Sequence, residues 1–359
     1  MLVALAEFAK IHNRSSDTLR RMAEQGKLRT AYKIGRNWVV NRDEPYPVKK
    51  RNSRKPITVI SMFSGCGGMD LGFLGGFDFL GSRYEKTTFD VIWANEINSA
   101  ACKTYRANIG QHIIEGDIYE VMDSLPDYAD VIIGGFPCQD VSINGKLPGI
   151  SGKRNNLYLA IVEAVRRVKP KVFVVENVGG LLLKKNKPLL DKILVDFNGL
   201  GYQVHHKLYC ASDYGVPQTR ERVFIVGTRA DMEEFRPPVP QATRPITAQE
   251  AIADLESLDT DAEFSHIWSL AKSSSGQGNR RLIAERPGYT IRAECHGNIQ
   301  FHYALPRRIS MREAARIQSF PDNFLFMSKL RETERQIGNA VPPVLAWHIA
   351  KSVELLVRS

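Results

Sequence analysis

Cysteine is scarce in this 359-residue chain. There are five, Cys66, Cys102, Cys138, Cys210 and Cys295, an odd number at wide spacing with no C-x-x-C pair. That excludes a disulfide framework and a zinc ribbon. Cys295, His296 and His302 make no metal set, since a fourth ligand and a second pair are lacking, so no metal is expected. Long apolar runs are also missing: no uncharged stretch approaches the ~20 residues that cross a bilayer. The opening MLVALAEFAKIHNR meets an acid at Glu7 and lacks the basic start, apolar core and small-residue cleavage site of a signal peptide. A cytoplasmic, reducing setting with no membrane partner is the expectation. Acidic residues are outnumbered, 39 against 49 basic, for a net charge of +10. That balance favours a polyanionic partner such as nucleic acid. With 43% hydrophobic and 25% charged residues, the composition excludes wholesale disorder.

What is present divides the chain. Residues 1–48 read as a small unit: Leu5, Phe8 and Ala9 recur at helical spacing, Ser16 is placed to cap a second helix through Leu19, Met22 and Ala23, and Gly26 stops it. KLRTAYKIGRNWVV then reads as a hairpin turning at Gly35-Arg36. Two helices and a small hairpin form a winged helix-turn-helix pattern, similar to excisionase and MerR-like DNA-binding modules. Arg14, Arg20 and Arg21 would face a duplex. A basic linker follows at 49–56, at the end of the run EPYPVKKRNSRKP with its three prolines and five basic residues.

From residue 57 strands and helices alternate. ITVISMF, FDVIWANE, ADVIIGG and KVFVVEN read as buried strands, with SAACKTYRAN and LYLAIVEAVRRV as helices. This rhythm argues for a parallel α/β sheet covered on both faces, binding its ligand beyond the carboxyl ends of the strands. Residues 57–228 form that domain. Residues 229–305 break the rhythm and read as an irregular second lobe, with short strands around Tyr289–Arg292 and Gln300–Tyr303. Residues 306–359 return to the first domain through SMREAARIQSF and PPVLAWHIAKSVELL.

The strand ends carry the chemistry. Phe63-Ser64-Gly65-Cys66-Gly67-Gly68 is a glycine-rich strand-to-helix turn, suited to a dinucleotide, a nucleotide or S-adenosylmethionine. Glu96 ends the second strand, where an acid accepts from ribose hydroxyls, and Asp117 follows the next apolar stretch, where it could accept from an adenine amino group. Cys138 follows the third strand in Gly134-Gly135-Phe136-Pro137-Cys138-Gln139, a position suited to a nucleophile. Glu176-Asn177-Val178 ends the fourth, and Arg220 and Arg222 stand two apart at the start of another.

The ordered blocks FSGCGGMDLGF, GGFPCQDVS, ENV, QTRERVFIVG, RRISMREAARIQSFPDNF and QIGNAVPP, spread over most of residues 57–350, resemble the DNA cytosine-5 methyltransferase family. The resemblance implies a doubly wound, mostly parallel class I methyltransferase fold with a smaller target-recognition lobe, S-adenosylmethionine as cofactor and double-stranded DNA as partner. It implies that Cys138 adds to carbon 6 of a flipped-out cytosine, that Glu176 holds N3 and the exocyclic amine, that Arg220 binds the carbonyl oxygen, and that Arg222 supports it or reaches a phosphate. For the cofactor it points to Phe63, Ser64, Gly65, Gly67, Gly68, Glu96, Ile97, Asp117, Ile118, Pro137, Leu157, Asn339 and Val341. Ile97 departs from an aromatic found there in some members, and Val141 from a common phenylalanine.

The loop 140–156, with three glycines and two lysines, suits a segment closing over DNA, with Gln139, Ser142 and Lys146 as contacts. Arg280, Arg281 and Arg292 in the second lobe are suited to guanine edges or phosphates. Arg308, Arg312, Glu313 and Arg316 read as structural support for that lobe. The expectation is a monomer on DNA, in a restriction-modification setting with or without a cognate endonuclease. A transfer-RNA cytosine methylase on the same scaffold, or a regulator acting through residues 1–48, are the alternatives.

Overall fold

The computed structural model describes residues 2–12, 14–24, 27–28, 30–35, 37–42, 44, 55–136, 157–270, 280–293 and 300–359. It divides into two compact units, Met1–Lys55 and Pro56–Ser359.

In the first unit a three-residue strand β1 (Leu2–Ala4) runs directly into α1 (Leu5–Ile11), followed by α2 (Ser16–Glu24), β2 (Tyr32–Ile34) and β3 (Asn37–Asn41). β3 pairs antiparallel with both β1 and β2. β1 has no counterpart in the sequence reading, because three residues are too few for an alternation to register. The cap of α2 also differs: the backbone N–H of Thr18 donates to Ser15 Oγ (3.2 Å), so Ser15 caps and Ser16 is the first helical residue. Phe8, Leu19 and Val40 are fully buried and, with Val3, Leu5 and Leu28, form the core. Arg14, Arg20 and Arg21 are exposed.

The second unit is built on seven strands. In chain order they are β4 (Ile57–Met62), β7 (Phe89–Glu96), β8 (Ile113–Glu115), β9 (Val131–Gly135), β10 (Val172–Val178), β11 (Tyr202–Cys210) and β13 (Glu221–Arg229). A hairpin of β5 (Phe77–Phe79) and β6 (Ser82–Tyr84) interrupts the series, and β12 (Gln218–Thr219) precedes β13. Across the sheet the order is β11-β13-β10-β9-β4-β7-β8. The five strands from β8 to β10 are parallel, while β13 runs antiparallel to β10 and β11. β13 therefore begins at the edge where the parallel strands end.

The helices α3 (Gly68–Leu74), α4 (Ser99–Asn108), α5 (Ile118–Val121), α6 (Leu157–Val168) and α7 (Lys187–Asn198) connect the strands. The strands are apolar on both sides, as expected where helices cover both faces. Val59, Val131, Val174 and Phe224 pack into one cluster with α3, while Ile60, Ile132, Phe173 and Ile225 pack into the other with α6 and α7.

Among the described residues of 229–305 the regular elements are α8 (Ala248–Ile252), a 3-10 turn at Ala253–Leu255 and the two-residue β14 (Gly288–Tyr289), which pairs with β12. Around Gln300–Tyr303 the expected strand reduces to isolated bridges of Phe301 with Arg281 and Arg308. The chain then forms α9 (Met311–Ile317), α10 (Leu330–Asn339) and α11 (Pro343–Arg358). Leu330–Arg358 is apolar and long enough to cross a membrane by composition, yet Val344, Leu345, Ile349 and Val353 are fully buried in the core shared with α3. Gly72 makes that packing possible: a Cβ there would lie 2.4 Å from Ala346 Cβ and 2.6 Å from the Pro343 carbonyl oxygen.

Candidate active site

Two halves of a site lie along the carboxyl edge of the parallel strands. In the first, the turn after β4 contains three left-handed residues: Phe63 at φ 55°, Gly65 at 56° and Gly67 at 93°. Phe63 is the informative one, since a side chain in that conformation is held only where the surroundings demand it. The turn is pinned from β7. The Ser64 N–H donates to the Asn95 carbonyl (2.9 Å), and the Gly65 N–H donates to Glu96 Oε2 (3.0 Å). Glu96 Oε1 accepts from the Asn98 N–H (2.8 Å), and burial raises the pKa of this carboxyl above its ordinary range.

One strand further out, Asp117 caps α5, its Oδ1 accepting from the Tyr119 N–H (2.9 Å). Ile118 is buried behind it, whereas Ile97 is 67% exposed. The far end of the chain closes the turn: a Cβ on Gly68 would lie 2.5 Å from the Val341 carbonyl oxygen, and Asn339 ends α10 beside it. Leu157 opens α6 and packs against the core on that face. A glycine-rich turn, a buried carboxylate and a second acid one strand over suit a ligand carrying an adenosyl group.

The second half centres on Glu176. In β10 it lies opposite Gly135 of β9 and Phe224 of β13. A Cβ on Gly135 would fall 2.9 Å from Glu176 Oε2, so that glycine leaves room for the carboxyl group. Arg222 Nε meets Glu176 Oε1 at 2.7 Å, both side chains being about one-tenth exposed. Burial pushes the Glu176 pKa up, with Arg222 and then Arg220 opposing it. Asn177 Nδ2 donates to the Phe136 carbonyl (3.2 Å), fixing the residue that follows β9. Pro137, Cys138, Gln139, Ser142 and Lys146 lie outside the described residues, as do Cys295 and His296.

The arginine pair is arranged differently from the sequence expectation. Arg220 is fully buried and donates to three backbone carbonyls: Ile291 (2.7 Å), Gly338 (2.8 Å) and Ala340 (3.1 Å). Burial, and then Arg222, lower its pKa well below the usual guanidinium value. With its terminal N–H groups on backbone oxygens, Arg220 joins the two halves of the site and is not turned to a ligand. Arg222 is the arginine on the carboxylate.

Gln218, which opens the block QTRERVFIVG but has no role of its own in the sequence reading, does similar work. Its Nε2 donates to the Ile317 carbonyl (3.1 Å) and its Oε1 accepts from the Ile291 N–H (3.1 Å). Its signal was a polar residue two before an arginine at a strand start, which the pattern alone does not separate from a surface pair.

In the second lobe Arg281 is exposed and its Nη1 donates to the His302 and Leu305 carbonyls (2.5 and 3.1 Å), which fixes where the side chain lies. Arg280 lies over the Tyr289 ring (5.4 Å). Arg292 is exposed, on a backbone fixed by Gln218 and Arg220 through Ile291. Arg312 donates to the carbonyls of Phe264, Pro321 and Phe324, and Arg316 pairs with Asp254 and Asp322. Ser310 and Glu313 form a capping box on α9.

Comparison with known proteins adds the family context. A family model described as C-5 cytosine-specific DNA methylase matches residues 57–281 and 262–355. Type II methyltransferase M.NgoFVII of Neisseria gonorrhoeae is 38% identical over 339 residues, covering 84% of this chain and 87% of its own length. Type II methyltransferase M.FnuDI of Fusobacterium nucleatum is 34% identical over 335 residues, covering 82% and 94%. Among solved structures, a DNA modification methyltransferase encoded within an E. coli prophage matches with a TM-score of 0.65 and 25% identity, over 84% of this chain and all of that one. The Entamoeba histolytica methyltransferase EhMeth shares the fold at a TM-score of 0.60 and 16% identity, over 84% and 98%.

Proposed function

The chain belongs to the C-5 cytosine-specific DNA methylase family, and on that premise we propose how its residues divide the work. It is a DNA (cytosine-5) methyltransferase that uses S-adenosylmethionine, with relatives named as type II methyltransferases. The observation that carries the assignment of roles is the buried Glu176–Arg222 pair, one strand from the Gly135-Phe136 end that leads into Pro137-Cys138.

Carbon 5 of cytosine is a poor nucleophile until a nucleophile adds at carbon 6. The Cys138 thiolate makes that bond once the base has left the duplex stack. Glu176 holds N3 and the exocyclic amine, and its raised pKa suits a carboxyl group that shares a proton with the ring. We assign the carbonyl oxygen of the base to Arg222, because Arg220 is engaged by Ile291, Gly338 and Ala340. Phe63, Ser64, Gly65, Gly67, Gly68, Glu96, Ile97, Asp117, Ile118, Pro137, Leu157, Asn339 and Val341 form the cofactor site. Bound there, S-adenosylmethionine supplies an electrophilic methyl group. Carbon 5, activated by the carbon–sulfur bond, takes that group. Loss of the carbon 5 proton to a base and departure of the Cys138 thiolate restore the aromatic ring.

Gln139, Ser142 and Lys146 contact the DNA, and Arg280, Arg281 and Arg292 approach it from the second lobe. Residues 1–48 act as a winged helix-turn-helix, a reading supported by the exposed Arg20 and Arg21 on the helix whose Leu19 and Ala23 are buried. The domain boundaries are those of residues 1–48, 49–56, 57–228, 229–305 and 306–359, and the enzyme works as a monomer on DNA, with or without a cognate endonuclease.

Transfer of labelled methyl from S-adenosylmethionine to DNA and, in parallel, to RNA tests this. Label at one short cytosine context in DNA, abolished by Cys138→Ser, is the expected result. Label in RNA alone, or methylation surviving in the Cys138 variant, would overturn the assignment.

A further inference from the structure

Beneath the glycine-rich turn lies a line of hydrogen-bonding side chains that the chemistry above does not use. It begins at Ser64 in the turn, whose hydroxyl is 2.8 Å from that of Ser61 and 3.0 Å from the Ser61 carbonyl oxygen. Below them is Asp70, in the first turn of α3 and fully buried. Its Oδ1 accepts from Tyr105 Oη at 2.8 Å. Its Oδ2 is buried with no hydrogen bond of full geometry, while the Ser61 hydroxyl favours the charged form of the same carboxylate. Tyr105 Oη is in turn 2.9 Å from His112 Nε2. Since the phenol gives its one proton to Asp70, His112 Nε2 carries the hydrogen and donates to Tyr105.

This is an expensive place for an acid. Burial raises the Asp70 pKa to about 6, so above that pH the fold holds a negative charge away from water. Among the described residues no ion pair offsets it. The titratable groups around it bring no charge that relieves it. Cys66 in the turn is pushed up to about 12 by burial, by Glu96 and by Asp70 itself, and on the far side His112 faces Asp90. A purely structural contact to Tyr105 could be made by a neutral amide. A carboxylate kept at that cost, with a second one at Glu96, makes the turn a region of negative potential. The ligand read for this turn is a cation at sulfur before transfer and a neutral thioether after it.

We propose that Asp70 is a positioning residue of the methyl-donor site: its unpaired charge, held under the turn through Ser61 and Ser64, favours the sulfonium donor over the neutral product. This rests on the reading of Phe63–Gly68 as part of the donor site. Donor is retained and spent product is released more readily because only the donor carries the charge that Asp70 attracts.

The test is calorimetric binding of S-adenosylmethionine and S-adenosylhomocysteine to the full chain, without DNA, at about pH 8, where the carboxylate is charged. Asp70→Asn is expected to weaken the donor about tenfold and the product less than about twofold, without lowering the melting temperature at that pH, since the variant removes a buried charge. Tyr105→Phe keeps the acid but removes a hydrogen bond that favours its charged form. Its preference for the donor is expected to persist at about pH 9 and to fade at a higher pH than in the parent chain. Equal changes for both ligands, or unchanged affinities with a lowered melting temperature, would overturn the proposal and leave Asp70 a structural group. A parent chain that binds neither ligand would instead remove the donor-site reading beneath it.

Discussion

Arg222 Nε lies 2.7 Å from Glu176 Oε1, although the two residues are not directly opposite in their strands. Glu176 faces Phe224 and Arg222 faces Val178, so the pair is diagonal across β10 and β13. Antiparallel pairing of β13 is what makes this possible. It brings the start of one strand to the end of the other, so both side chains project at the edge where the parallel strands terminate. Placing the pair there costs desolvation, and the arginine offsets it while leaving Glu176 easier to protonate than an ordinary glutamate.

Replacing Glu176 by Gln keeps the shape but removes the proton-sharing carboxyl. The expected outcome is a loss of kcat of about a hundredfold or more, in the range of a removed acid-base group, with DNA affinity little changed. Single-turnover methyl transfer measures it. A rate within about threefold of the parent would take Glu176 out of the chemistry.

Arg220→Ala should act on stability. The buried carbonyls of Ile291 and Gly338 lose their donor, while that of Ala340 keeps Gln318 Nε2 at 2.6 Å. At about 1–3 kcal/mol for each of the two orphaned groups, reduced by relaxation, a total loss of about 2–4 kcal/mol is expected, lowering the melting temperature by on the order of 5–10 °C. Arg222→Ala should change the melting temperature far less and the reaction far more. If the two variants behave alike in both assays, the division between them fails.

Gly72→Ala tests the close approach of α3 and α11. The added methyl meets Ala346 and the backbone at Pro343 and Trp347, none of which can swing aside. A loss of about 2 kcal/mol or more is expected, against little change for Gly180→Ala, where the nearest atom would be at 3.7 Å. Urea unfolding of both variants gives the comparison.

Acid should reveal His348, which packs edge-on to Tyr84 and Trp347 and near Tyr214, and whose pKa burial pushes down to about 4. Its folded value lies below the unfolded one, so the unfolded chain takes up the proton first. The stability held by the neutral ring is complete above about pH 6.5 and is lost as pH falls toward 4, amounting to about 3 kcal/mol. Asp70 works the other way, its folded pKa of about 6 standing above the ordinary 3.8, so acidification over that range adds stability. The parent chain shows the difference of the two. His348→Phe should therefore gain on the parent steadily from about pH 6.5 to 4. A stability difference that stays constant with pH would contradict this.

The sheet was legible where its strands are short apolar runs, those of β7 and β9 ending at Glu96 and Gly135, and strand ends are also where the site lies. The blocks around Glu176 and Glu96 could be read for the same reason. What could not be read was direction. Arg220 and Arg222 stand two apart on one strand, and sequence alone does not say which meets a carboxylate and which meets three carbonyls, because the carbonyls come from Ile291, Gly338 and Ala340, far along the chain. Arg281 hid its placement similarly, in contacts with His302 and Leu305. Asp70 gave no signal, since an acid in the first turn of a helix is ordinary. Only its burial against Tyr105 sets it apart.

The role of the first unit can be tested in the intact chain. Arg14, Arg20 and Arg21 are exposed, and two of them lie on α2, whose other face is held by Leu19 and Ala23. If they meet DNA phosphates, each neutralised phosphate contributes about 0.9 to the slope of log affinity against log salt. Replacing all three by Ala should then flatten that slope by about two to three, weaken binding most at low salt, and leave single-turnover methyl transfer on saturating DNA unchanged. Unchanged affinity across the whole titration would mean that residues 1–48 do not touch the substrate duplex. A changed transfer rate at saturation would mean that they act on the chemistry and not on DNA capture.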